Sequence, residues 1–197
     1  MNLVDRAKRI LLSPRTEWEV IDNEPTTPAQ LFTGYAMPLA AIGPIAQIIG
    51  YSLFGISVPF AGHYRVPLGS AITSALVTYV LALAGTYLLG LIVDALAPTF
   101  NGQRSQIQAF KVAVYSSTAS WVAGIFHLIP GLRLLTILGL YSFYLLDQGL
   151  PVLMKSPRDK SVAYTAVVIV AAIVLFMLTG MLAGRFLAVP TAGWTVP

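Results

Sequence analysis

Five long apolar runs separated by short polar breaks make up most of this chain, and nearly all its charges fall in the breaks or before the first run. From Pro25 to Tyr64 no residue is charged, a stretch of 40. As one α-helix it would be ~60 Å long, about twice the thickness of membrane hydrocarbon, so it must bend or end. The first span is placed at about 31–56, with Pro38, Gly43-Pro44, Gly50 and Gly55 as kink points and 57–67 as a loop. A second run is closed by Asp94, giving a span at about 68–94. The turn residues Pro98, Asn101 and Gly102 follow. Further spans are expected at about 109–129, 133–154 and 162–184, the third and fourth joined by a tight Pro130-Gly131 hairpin.

Ahead of the spans lies a different pattern. Leu3, Ala7, Ile10 and Leu11 recur at helical spacing beside Arg6, Lys8 and Arg9, which describes a short basic helix on a membrane surface. Ser13-Pro14 reads as an N-cap and first helical position, predicting a second short helix over about 14–22 that presents Trp18 and Val20-Ile21 to the interface or bundle. The expected fold class is therefore all-α: a polytopic membrane helical bundle of five transmembrane helices with short amphipathic N-terminal helices. Residues 1–25 form the cytoplasmic arm, 26–190 the membrane domain and 191–197 a frayed outer tail.

Composition agrees about the solvent. With 56% apolar and 10% charged residues, against ~25% charged in soluble domains, the chain belongs in lipid. Its net charge of +4 reports topology and lipid contact rather than nucleic acid, since no basic arm with interleaved aromatics is present. Five spans put nine of the 12 Lys and Arg on the N-terminal side, leaving Arg65, Arg133 and Arg185 on the other. The excess of positive charge predicts a cytoplasmic N-terminus and an outer C-terminus, in a cell (inner) membrane.

Catalytic signatures are sparse. No cysteine is present, and neither a Gly-x-Ser-x-Gly elbow nor a Walker loop occurs. His63 and His127 lack the third ligand that a zinc site needs and are read as interfacial residues. No enzyme activity, metal or cofactor is expected. The chemistry-bearing group is instead ionisable: Asp147, eight residues or ~12 Å before Lys155, needs a partner or a proton inside a membrane. Asp94 and Lys111 approach the same leaflet, so Asp94, Lys111 and Asp147, with Tyr115 as a hydrogen-bond donor, form the candidate intramembrane cluster. Three readings stand: Lys111 locks spans together by pairing with an aspartate, the group lines an ion or proton path, or it binds lipid headgroups. Arg65, Arg133, Arg185, Lys155, Arg158 and Lys160 are candidates for lipid headgroups as well as topology signals, and Gly180-x-x-x-Gly184 offers a helix-packing face, internal or between protomers.

The segments SPRTEWEVI, DALAPTF with the following Lys111 and YSSTASWVAGI, and LLDQGLPVLMKSPRDKSVAYT resemble bacterial members of the Yip family, named for Rab-GTPase-interacting membrane proteins of the eukaryotic secretory pathway. The resemblance implies five spans, a cytoplasmic N-terminus and a non-enzymatic role through helix packing, membrane lipids, a homo-oligomer or a membrane-protein partner. Eukaryotic members carry an Asp-Leu-Tyr-Gly-Pro motif before the first span, absent here, so GTPase binding is not carried over. The competing reading is a small-solute or proton-coupled ion transporter built on Asp94, Lys111 and Asp147, against which stands the lack of an internal inverted repeat.

Overall fold

The computed structural model describes residues 2–58 and 62–185, and at 56–58, 62–64 and 158 only the backbone. The tail expected at 191–197 lies outside the described residues. The described chain is helical apart from one short ribbon. Two short helices, α1 (Leu3–Leu12) and α2 (Pro14–Asn23), open it, with Ser13 as the cap of α2 and Pro14 at its first position. Thr27 and Gln30 form a reciprocal capping box that starts the first long helical segment, Pro28–Phe54.

That segment runs through α3 (Pro28–Leu31), α4 (Met37–Ala40) and α5 (Ile42–Ile49), with π-helical turns at Phe32–Ala36 and Gly50–Phe54. The first wide turn has a physical cause. Pro38 offers no N–H to the Gly34 carbonyl and its ring would crowd that carbonyl in a regular helix; in the widened turn Met37 N–H bonds instead to the Phe32 carbonyl, five residues back. Gly55, at φ 76°, ends the segment in a conformation that favours glycine. Where a plain loop is expected at 57–67, an antiparallel ribbon of β1 (Ile56–Val58) and β2 (Gly62–Tyr64) forms, pairing Ile56 with Tyr64.

Next come α6 (Leu68–Leu96), a 3-10 turn at Ala97–Phe100, α7 (Gln106–Ser116) and α8 (Thr118–Ala123). Asn101, at φ 54°, turns the chain between α6 and α7, and Gly102 N–H bonds back to the Ala97 carbonyl. The sequence predicts plain α-helix on both sides of Pro130-Gly131, but the structure puts 3-10 helix at Gly124–Leu128 and Pro130–Leu140 before α9 (Tyr141–Leu153) and α10 (Arg158–Gly184). An 11-residue 3-10 run is long for that geometry.

Three segments, Pro28–Phe54, Leu68–Phe100 and Asp159–Gly184, are long and apolar enough to cross a membrane. α10 and α6 pack on one another, α6 also against α7, and α7 against α9. α5 crosses the Gly124–Leu128 turn at a close approach that only small residues permit. A Cβ on Gly124 would lie 2.7 Å from the Gly43 backbone, and one on Gly50 would lie 2.1 Å from the His127 carbonyl oxygen. Large apolar side chains such as Val170, Phe176 and Met181 on α10 and Leu76 and Val80 on α6 face outward, which suits lipid rather than water. Gly180 and Gly184 face open space, so these glycines do not serve as an internal packing seam.

Candidate functional site

The charged residues gather where α1 and α2 dock on the bundle. Each short helix carries an apolar stripe with one charge inside it: Arg6, Ala7 and Ile10 on α1, and Glu17, Trp18 and Ile21 on α2, all buried. Such a charge needs an opposite partner close by. Arg6, 3% exposed, donates from Nη1 to Glu17 Oε1 at 2.5 Å and from Nη2 to Glu24, and its guanidinium sits 5.6 Å from the centre of the Tyr115 ring. Arg9 reaches Glu17 from the solvent side at 3.0 Å.

Below this pair the helices are held by aromatic packing. Trp18 meets Tyr115 edge to face at 6.3 Å, and Tyr115 meets Tyr35 at 4.7 Å. The Tyr35 hydroxyl and Thr118 Oγ1 are 2.9 Å apart, and Thr118 donates to the Tyr115 carbonyl. Gly149 on α9 makes room for the indole, since a Cβ there would lie 2.7 Å from two ring carbons of Trp18.

Lys111 belongs to the same docking interface. Its Nζ donates to the Ile21 carbonyl at 2.8 Å and the Glu24 carbonyl at 2.7 Å, at the C-terminal end of α2. A helix leaves its last carbonyls unpaired and partly negative there, so a buried ammonium both caps α2 and is stabilised by it. Gln108, one turn earlier on α7, donates to the Asp22 carbonyl and side chain, and Lys155 pairs with the Asp22 carboxylate. Three side chains from two parts of the bundle therefore grip one helix end.

The expected cluster of Asp94, Lys111 and Asp147 is not brought together. Asp94 pairs with Arg104 at 3.1 Å, and its other carboxylate oxygen is buried without a partner among the described residues. Asp147 is half-buried and accepts from the neighbouring Gln148 amide at 3.2 Å. Among the described residues no ion pair joins either aspartate to Lys111. The reason is that α2 presents carbonyls to Lys111 at hydrogen-bond distance. Tyr115 serves as an aromatic wall and cation-π partner rather than as a donor to the aspartates.

The headgroup candidates also divide. Arg65, Lys160 and Arg185 are exposed. Arg133 turns inward, donating to the Gly55 carbonyl at 3.2 Å and lying 4.6 Å from the Tyr51 ring centre, and Lys155 is taken by Asp22. The Arg158 side chain lies outside the described residues, as does that of His63, whose backbone is in β2. His127 Nδ1 is 3.0 Å from the Gly124 carbonyl, and among the described residues no three potential metal ligands come together. Sequence reading missed Arg6, Glu17, Trp18, Glu24 and Gln108 as site residues. For Arg6 and Glu17 a signal was present, since each is a charge on the apolar stripe of an amphipathic helix, which marks a stripe that faces protein; Glu24 and Gln108 carry no such mark.

The Yip1 domain family model matches residues 8–181. The chain is 24% identical over 157 residues to the inner membrane protein YohC of Escherichia coli strain K12, covering 78% of this chain and 80% of that protein. It matches the same-named protein of Escherichia coli O6:H1 to the same extent. No solved structure matches. With a family model spanning most of its length, a relative in the inner membrane and helices apolar enough to cross a bilayer, this chain is an integral membrane protein that belongs to the Yip1-domain family.

Proposed function

We propose that this protein is a non-enzymatic five-span membrane protein with a cytoplasmic N-terminus. In this reading it acts through the face that its docked α1–α2 hairpin presents to lipid headgroups and membrane-protein partners. The observation that carries the proposal is the use made of the polar groups: Arg6, Glu17, Gln108 and Lys111 are engaged in holding the hairpin.

The same contacts support a position for the bilayer edge. α2 runs beside α9, with Pro14 near Tyr144, Trp18 on Gly149 and Asp22 on Lys155. Lys8, Arg15 and Glu19 on the hairpin are exposed, and each would cost ~2.5–3.5 kcal/mol at the hydrocarbon centre. The hairpin therefore belongs on the water side. At its tip Leu12 is 80% exposed, and Tyr141 and Tyr144, 5.2 Å apart, stand beside it as an interfacial aromatic pair, with the Tyr141 hydroxyl bonded to the Leu11 carbonyl. The 3-10 run supports this edge. At ~2.0 Å per residue Pro130–Leu140 covers ~22 Å, and four residues of α9 extend that to ~28 Å, close to the ~30 Å hydrocarbon. In this reading Asp147 and Lys111 lie beyond the hydrocarbon, where the half-buried Asp147 needs neither a proton nor a counter-ion and the buried Lys111 is served by the carbonyls at the end of α2.

Because the chain has no cysteine, single cysteines report topology cleanly. Lys8→Cys and Lys160→Cys are expected to react with a membrane-impermeant maleimide only after the cells are permeabilised, Arg65→Cys and Arg185→Cys in intact spheroplasts. The opposite pattern would overturn the orientation. In proteoliposomes, wild type and Asp147→Asn should both leak protons and monovalent cations no faster than protein-free liposomes. A flux carried by wild type and lost in Asp147→Asn would overturn the non-transport reading.

A further inference from the structure

Between the hairpin and the first long segment lies a cleft of about 170 Å³, lined by Arg6, Glu24, Gln30, Gly34, Tyr35 and Tyr115 among others. That is smaller than the ~300–1,000 Å³ of sites for drug-sized molecules, and it suits a headgroup. The cleft sits beside the π-helical turn at Phe32–Ala36, and such turns are frequent at functional sites. Gly34 in this turn has nothing within 4 Å of a Cβ position, so the wall is open on that side.

Its polar wall carries one charge of each sign. Arg6 spends two of its five N–H donors on Glu17 and Glu24. Glu24 keeps one carboxylate oxygen outside that pair, and its side chain is 39% exposed. An anion alone would face Glu24, and a cation alone would face Arg6. A ligand bearing both charges can lie antiparallel to the Arg6–Glu24 dipole, its phosphate on the guanidinium and its ammonium on the carboxylate.

We propose that this cleft binds the zwitterionic phosphate-ammonium headgroup of a membrane phospholipid of the ethanolamine type, with the acyl chains leaving past Gly34 and the exposed Met37 along the first segment. The assignment rests on the reading above that the hairpin lies at the headgroup level. Its test uses the full chain in nanodiscs made of equal parts dioleoyl phosphatidylethanolamine and dioleoyl phosphatidylglycerol, with lipids retained after transfer to detergent counted by native mass spectrometry. Wild type should keep the ethanolamine lipid over the glycerol lipid by about tenfold, and millimolar phosphoethanolamine should displace it. Gly34→Leu, which fills the open side and touches no charge, should bring the ratio to that of the bulk lipid with an unchanged melting temperature. Glu24→Gln should cut the preference several-fold.

A bulk ratio in wild type, or a wild-type ratio in Gly34→Leu, would overturn the assignment. So would binding of phosphoethanolamine by a chain that retains no lipid, since the ligand would then be a soluble phosphate ester. Flux in the proteoliposome experiment would overturn the functional reading and leave this ratio unmoved, so the two failures are separable.

Discussion

Arg6→Met is expected to release the N-terminal hairpin at a cost of about 3–5 kcal/mol, because it strips a buried carboxylate of its main partner. Glu17 is buried behind Arg6, and among the described residues the charge left on it has only Arg9, whose side chain is 45% exposed. A pair so open to solvent contributes at most ~1 kcal/mol, so Arg9 offsets little of the loss. The double variant Arg6→Met/Glu17→Leu should recover most of the stability, since two apolar side chains then fill the stripe with no charge to solvate. The readout is trypsin cleavage after the exposed Arg15, which follows the population of the open hairpin when opening and closing outpace cleavage. Arg6→Met should speed cleavage by about 100-fold or more, at ~1.4 kcal/mol per tenfold, and the double variant should lie near wild type. If the double variant is cleaved as fast as Arg6→Met, the ion pair is not what fastens the hairpin.

Lys111→Met should have a similar consequence by a different route. It leaves the Ile21 and Glu24 carbonyls without their buried donor and removes a cation from the end of α2. Hydrogen bonds to charged groups are worth ~1.5–3 kcal/mol each and the helix-end attraction ~0.3–1, so a loss of about 2–4 kcal/mol is expected after partial repair by water. The aspartates provide the discriminating measurement. Asp147→Asn should change stability by no more than about 0.5 kcal/mol, and Asp94→Asn by about 1 or less, since its partner Arg104 is 67% exposed. Thermal denaturation in detergent of Lys111→Met, Asp147→Asn and the double variant should give a coupling below ~0.5 kcal/mol. A coupling well above 1 kcal/mol would restore the lock between Lys111 and Asp147 that spacing along the chain suggests.

The contrast between these two lysine pairings shows what one-dimensional spacing conveys. Asp94, Lys111 and Asp147 look like neighbours because each is the outlying charge of an apolar run, and counting residues gives depth along a helix. It gives neither the direction in which the side chain leaves the helix nor the identity of a packed neighbour from a distant part of the chain. Lys111 is separated from its acceptors by about 90 residues, and those acceptors are backbone carbonyls, which no residue type announces. The same applies to the geometry of segments 124–140. Their apolar, Gly- and Pro-punctuated sequence suits α- and 3-10 helix alike, and what the sequence does not announce is the backbone packed against the first part of it, Gly43 on Gly124 and Gly50 on His127.

Other features were legible because each is a local property. The lipid solvent is a matter of composition, and the Ser13-Pro14 start of α2 and the turn at Pro98–Gly102 follow from backbone chemistry at single residues. Family membership rests on motifs distributed over most of the chain. By itself, then, the sequence determined the solvent, the family and the residues at which helices begin and turn, because apolar run length and local dihedral preference act within a few residues. Only the tertiary structure decided that the N-terminal helices are walls of a docked interface, that Lys111 caps one of them, and that Arg6 and Glu24 share a cleft. Those outcomes depend on which buried charge finds which partner across the fold, and desolvation makes that choice between elements far apart in the chain.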